Sequence, residues 1–106
     1  MTIPEISVQE LEALRKASAD IFILDVRNPD EYAICNLAGH LIPWKELPSR
    51  LSELNPDQSI IVHCHAGGRS RRATEFLIQY GFKDVRNLRG GITAWANEID
   101  PNMPKY

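Results

Sequence analysis

The sequence predicts an α/β domain built on a mainly parallel sheet. Three observations predict it. Two continuous apolar runs, Ile21-Phe22-Ile23-Leu24 and Ile60-Ile61-Val62, have the character of strands covered on both faces. Segments with helical spacing of apolar residues alternate with these runs. A chain of 106 residues is long enough for one core and too short for two, so residues 1–106 are expected to form a single domain.

The elements follow in order. Ser7 opens a capping box with Glu10, ahead of Leu11 and Leu14. Glu10 and Glu12 lie early in this helix and Arg15 and Lys16 late, as the helix dipole favours. The run Ile21 to Leu24 ends in Asp25. Asn28-Pro29-Asp30-Glu31 reads as a turn into a short helix with Pro29 at its first position. Leu41-Ile42 is a short strand stopped by Pro43. Leu47, Leu51 and Leu54 share one helical face, with Pro48 near the start of that helix. Asn55-Pro56-Asp57 is a turn before the strand Ile60 to Val62. A helix is predicted from Ser70 to Tyr80, with Ala73, Phe76, Leu77 and Tyr80 inward and Gly81 closing it. Asp84 to Leu88 is a further strand. Gly90-Gly91 leads into a last helix around Thr93 to Asn97, and Pro101 and Pro104 make residues 100–106 an extended tail.

Composition excludes several classes. A hydrophobic fraction of 43% with 25% charged residues is that of a folded globular chain, which argues against disorder. The formal net charge of -2 gives no support to a nucleic-acid or anionic-membrane role. No apolar stretch approaches the length of a membrane span. Met1 to Pro4 lack a basic segment followed by an apolar run, so no secretory signal is expected. With only Cys35 and Cys64, a reducing compartment is expected, and the cytoplasm is the reading.

Cys64 carries the chemical signal. It follows a strand, and His65-Ala66-Gly67-Gly68-Arg69 leads from it into a helix. Ligands of open α/β sheets bind at the carboxyl ends of strands. Gly67 and Gly68 allow a tight turn that aims amide hydrogens inward, and the helix dipole stands behind them. Such a nest stabilises an anion, here a thiolate. Arg69, Arg71 and Arg72 crowd the start of the helix, where the dipole disfavours cations. The expected compensating charge is the Cys64 sulfur or an anionic substrate. Cys35 lies in an apolar stretch and reads as a poorly reactive buried thiol, unlinked to Cys64. His63, Cys64 and His65 are consecutive, so their side chains diverge, and no metal site is expected.

Four segments together resemble the rhodanese family. They are Leu24-Asp25-Val26-Arg27-Asn28-Pro29-Asp30-Glu31-Tyr32, Gly39-His40-Leu41-Ile42-Pro43, His63 to Ser70, and Asn87-Leu88-Arg89-Gly90-Gly91-Ile92-Thr93-Ala94-Trp95. The resemblance implies a five-stranded, mainly parallel sheet with helices on both faces. Glu31 to Leu37 and the ending Asp100 to Tyr106 are further similar to rhodanese domains fused to ubiquitin-activating-like adenylyltransferases. Those enzymes serve molybdopterin, thiamine or tRNA thiolation pathways. The 106 residues hold no adenylyltransferase domain, so either a free-standing version or an excised domain is expected.

The resemblance implies that Cys64 carries sulfane sulfur as a persulfide and that His65, Ala66, Gly67, Gly68 and Arg69 cradle it. It places Asp25 and Arg27 at acidic and basic positions near the active site, Asp25 holding the loop or an arginine. Arg89 borders the pocket from the last loop, and His40 and Trp95 are packing residues. Thiosulfate or a persulfide-bearing protein would be the donor, and a thiol, sulfur-carrier protein or cyanide the acceptor. No cofactor is implied. Two rival readings remain open. One is a persulfide carrier or partner-binding module without turnover. The other is a cysteine phosphatase, whose loop has the form C-x-x-x-x-x-R, one residue longer than the C-x-x-x-x-R from Cys64 to Arg69.

Overall fold

The computed structural model describes residues 2–106. Five strands form one sheet: β1 (Glu5–Ile6), β2 (Phe22–Asp25), β3 (His40–Leu41), β4 (Ser59–His63) and β5 (Asp84–Leu88). Their spatial order is β1-β5-β4-β2-β3, and every neighbouring pair is parallel. The register places Asp25 of β2 beside His63 of β4, at the carboxyl edge.

The pleat of β4 separates two cores. Ile60 and Val62 face a core with Leu24, Ile42, Leu47, Ala73 and Leu77. Ile61 faces the other, with Val8, Leu11, Leu37, Ile92 and Trp95. Helix α3 (Gly68–Gln79) and a 3₁₀ stretch over Trp44–Glu53 therefore cover one face. Helices α1 (Val8–Lys16) and α4 (Gly91–Glu98) cover the other. Helix α2 (Pro29–Ile34) spans the crossover from β2 to β3. The apolar runs are continuous because both sides of the central strands are buried.

Local chemistry sets the helix starts. Ser7 Oγ accepts from the Glu10 amide at 3.1 Å, and Glu10 Oε1 accepts from the Ser7 amide at 3.0 Å. At α2 the Asn28 amide donates to Glu31 Oε1 at 3.0 Å, and Pro29 takes the first position.

Four expectations are corrected. Strand β1 had no apolar run to announce it; its two residues pair with Asn87 and Leu88 of β5. The helix predicted from Ser70 starts at Gly68, and the last helix spans Gly91–Glu98, because glycines begin both. Tyr80 points outward, 63% exposed, and leans on Phe76. The chain turns at Gly81 (φ 89°), where the Gly81 amide bonds the Ile78 carbonyl and the Phe82 amide the Leu77 carbonyl. Phe82 thereby takes the core place expected of Tyr80. The leucine helix is a 3₁₀ stretch with non-helical backbone at Arg50, and Pro48 inside it supplies no backbone donor. Residues 100–106 are non-helical.

Candidate active site: the Cys64 loop

Cys64 follows β4 directly and is 1% exposed. The chain then turns through Gly67, whose φ of 123° suits glycine, into α3. This turn aims the Gly67 amide at Cys64 Sγ, 3.2 Å away. The fully buried Ser70 hydroxyl lies 3.4 Å from the same sulfur. The sulfur thus sits at the N-terminal end of a helix with an amide and a hydroxyl turned toward it. That environment stabilises an anion.

Ser70 has one proton and three acceptors in reach. Asn87 Oδ1 is nearest at 2.6 Å, then the Gly67 carbonyl at 3.2 Å and the sulfur. Asn87, in β5, is buried, and its Nδ2 lies 3.5 Å from Glu5 Oε2. Sequence reasoning missed Ser70 and Asn87 as parts of this site. A hydroxyl in the first turn after the cysteine loop and an asparagine near the carboxyl end of a strand were the available signal.

The start of α4 fixes the other side of the loop. The Ile92 amide donates to the Cys64 carbonyl and the Thr93 amide to the His65 carbonyl, each at 3.0 Å. Thr93 Oγ1 adds a bond to the His65 carbonyl at 2.9 Å. A Cβ on Gly91 would stand 2.5 Å from the His65 oxygen, so this approach requires glycine.

The arginines are not arranged as expected. Arg69 forks onto Glu31, with Nη1–Oε1 at 2.7 Å and Nη2–Oε2 at 2.9 Å. The charge bonded to Arg69 is therefore the Glu31 carboxylate, with the Cys64 sulfur a lesser influence. Glu31 is held down to about 2, first by Arg69 and against its partial burial; the Asn28 amide and the Tyr106 hydroxyl add to the effect. Arg69 is pushed up by the same bond to Glu31. Arg71 reaches Glu75 at 3.8 Å, and Arg72 is exposed.

Asp25 and Arg27 form a fully buried ion pair, with Nη2–Oδ2 at 2.7 Å. Arg27 also donates to the Cys35 carbonyl at 2.8 Å and to the Tyr106 hydroxyl at 2.9 Å. Burial opposes its charge, and the bonds to Asp25 and Tyr106 outweigh burial, so Arg27 stays charged. Asp25 holds Arg27, and neither residue has a hydrogen bond to the sulfur. Arg89 extends to Glu5 at 3.5 Å, toward β1 rather than toward the loop. His63 is buried and neutral, its charge disfavoured by desolvation first. His40 is exposed, bonded to Glu53 at 2.7 Å and tilted on Phe22, so it is only in part a packing residue; Trp95 is buried. Both cysteines are free thiols, and Cys35 is buried. Among the described residues no cluster of His, Cys, Asp and Glu has a metal-holding arrangement, and no helix is long and apolar enough to cross a membrane.

Comparison with known proteins matches this architecture. A sulfurtransferase of Allochromatium vinosum is 36% identical over 95 residues, covering 89% of each chain. The adenylyltransferase and sulfurtransferase UBA4 of Meyerozyma guilliermondii is 31% identical over 110 residues, 95% of this chain. This chain spans 26% of that relative, and 38% of a Rhodanese-like/PpiC domain-containing protein of Arabidopsis thaliana. Among solved structures, a rhodanese-related protein of Thermoplasma volcanium superposes with a TM-score of 0.83 at 33% identity, covering 91% of this chain and 93% of that one. The family model for the rhodanese-like domain matches residues 7–98, which takes in strands β2 to β5, the Cys64 loop and α4, and the chain therefore belongs to the rhodanese-like domain family.

Proposed function

We propose that this protein is a thiosulfate sulfurtransferase-like enzyme that carries sulfane sulfur on Cys64. The observation that carries the reading is the Gly67 amide 3.2 Å from Cys64 Sγ at the start of α3. The Cys64 thiolate attacks the outer sulfur of thiosulfate. A new S–S bond forms, the donor's S–S bond breaks, and its electron pair leaves with sulfite. The persulfide anion lies against the Gly67 amide, which acts as an oxyanion-hole donor does for oxygen, with the Ser70 hydroxyl beside it bonded to Asn87. An acceptor thiolate or cyanide then takes the outer sulfur and regenerates the Cys64 thiolate. Neither step needs an oxidant or a cofactor.

A protein persulfide can serve in place of thiosulfate, and a thiol or a sulfur-carrier protein as acceptor. The burial of the sulfur favours a partner shaped to reach it, and a putative sulfur carrier protein of Bacillus subtilis is 34% identical over 100 residues. In that second reading the protein relays sulfur without turning over thiosulfate. Both need a reduced thiol, which the cytoplasm provides.

The test compares two substitutions. Cys64→Ser should abolish transfer from thiosulfate to cyanide, and intact-mass measurement should no longer show one added sulfur atom. Cys35→Ser should retain most activity. Activity in Cys64→Ser equal to the parent would sink the assignment. Sulfur gain at Cys64 from a protein persulfide but not from thiosulfate would select the relay reading. Hydrolysis of a phosphate ester would select the phosphatase instead.

A further inference from the structure

The tail after α4 returns across the Cys64 loop and ends there in Tyr106. The Tyr106 ring stacks on His65, with centroids 4.2 Å apart and planes at 24°. Its main-chain oxygen lies 3.1 Å from His65 Nε2. Its hydroxyl accepts from Arg27 Nη1 at 2.9 Å and donates to Glu31 Oε2 at 2.8 Å. Glu31 in turn holds Arg69 by two bonds. One side chain thus reaches both ends of the loop, His65 directly and Arg69 through Glu31.

We propose that Tyr106 is a positioning residue for sulfur transfer, clamping His65 and Arg69 so that the Gly67 amide stays on the Cys64 sulfur. The proposal rests on the reading of Cys64 as the sulfur carrier.

At the crest of the loop the bonds come from α3, where the Gly67 carbonyl accepts from the Arg71 amide at 3.0 Å and lies 3.2 Å from Ser70 Oγ. Ala66 and Gly68 are exposed, and Cβ atoms built on Gly67 and Gly68 would meet nothing within 4 Å. That open space leaves the loop's position to its hydrogen bonds and to the anchors at its two ends. The α4 amides hold only the Cys64 and His65 carbonyls. At the other end Arg69 belongs to α3, and its side chain ties that helix start to Glu31, which is held in turn by its own donors. Tyr106 itself is 41% exposed, too open to act chiefly by burying apolar surface. A phenol suits the place because it offers a flat face to His65 and a polar tip to Arg27 and Glu31. Burial pushes that hydroxyl up to about 12; the Arg27 bond opposes the rise and the Glu31 bond adds to it. It keeps its proton at neutral pH and can donate to Glu31. The same residue walls a cavity of about 170 Å³ together with His65, Thr93 and Cys35, so the tail also shapes the space beside the loop.

The test compares the parent with Tyr106→Phe, which keeps the ring, and Tyr106→Ala, which removes it. Tyr80→Ala, at an exposed tyrosine away from the loop, is the control. Four quantities are read: thermal midpoint, amide exchange of residues 65–69, rate of Cys64 alkylation at neutral pH, and rate and stoichiometry of persulfide formation from thiosulfate. Tyr106→Phe should slow persulfide formation about three- to tenfold, with the final sulfur per chain unchanged. Loop amides should exchange faster while β4 and β5 amides do not, and the thermal midpoint should barely move. Tyr106→Ala should show a larger loss of the same kind. Unchanged loop exchange and transfer rate in Tyr106→Phe overturn the proposal. So does a rate loss matched by lost stoichiometry and lost β4 protection, since that is unfolding. If the parent takes no sulfur from thiosulfate, the sulfurtransferase reading fails, while loop exchange and alkylation still decide the clamp.

Discussion

Arg27 shows how far a residue's chemistry departs from its place in the sequence. It occupies a basic position of the motif, yet it is fully buried and its guanidinium serves Asp25, the Cys35 and Glu31 carbonyls and Tyr106. Removing it strands the Asp25 carboxylate in the interior. Arg27→Ala should cost about 3–5 kcal/mol, the usual range for breaking one side of a buried pair. Arg27→Lys should recover little, because one ammonium cannot meet acceptors spread around a planar fork. Denaturant titration reads both; a midpoint for Arg27→Ala equal to the parent's would show the pair to be dispensable. Cys64 and Gly67 were legible in the sequence because strand, loop and helix are contiguous there. The Arg69–Glu31 fork was not, since its partners come from separate elements, α2 and α3, and meet only in the folded chain. The excess of cations at the helix start was a true signal of a missing anion, and the carboxylate supplying it stood in another motif.

Two helices of this fold begin on glycine, for different reasons. Gly68 opens α3 with free space around it, whereas Gly91 opens α4 against the backbone of the Cys64 loop. A Cβ at Gly91 would lie 2.5 Å from the His65 oxygen and 2.8 Å from the Cys64 oxygen, at a φ of 60°. Both neighbours are backbone atoms, so the loop itself must shift. Gly91→Ala should cost about 1–3 kcal/mol through this strain and slow sulfur transfer beyond what the lost stability explains. Gly68→Ala should stabilise by about 0.4–1 kcal/mol, because the unfolded chain loses freedom and nothing clashes. Thermal melts of the two variants test the contrast; equal shifts would contradict it. The Gly90-Gly91 pair read from the sequence as a lead into a helix, which it is. Its contact with the cysteine loop is a tertiary fact with no local signature. Strand β1 was missed for a similar reason: two residues carry no periodicity, and β5 alone defines them.

At the scale of the whole molecule, tail, α2 and loop meet at one carboxylate, and this gives the fold a specific acid response. Glu31 lies well below its ordinary value of 4.5, at about 2, with the Arg69 bond as the leading cause. A carboxylate lowered on folding binds protons more readily in the unfolded chain. Its stabilising contribution is therefore complete above 4.5 and is lost as pH falls toward 2. Discounted for screening by water at the cleft, that contribution is about 1–2 kcal/mol. Glu53, lowered to a similar degree by Arg50, responds in the same window but lies on the 3₁₀ stretch, away from the loop. Both are absent from a Glu31→Gln, Glu53→Gln double variant, and single variants separate them. Protonation of Glu31 should weaken its fork with Arg69 and its bond from Tyr106, and both ends of the Cys64 loop should then loosen before the sheet does. In the parent, amides of residues 65–69 should lose protection at a higher pH than those of β4 and β5. Glu31→Gln should show loosened loop amides already at neutral pH and a flatter fall of stability into acid. Glu53→Gln should flatten the fall without touching the loop. Simultaneous loss of loop and sheet protection in the parent, with the same acid profile in Glu31→Gln, would remove Glu31 from this role.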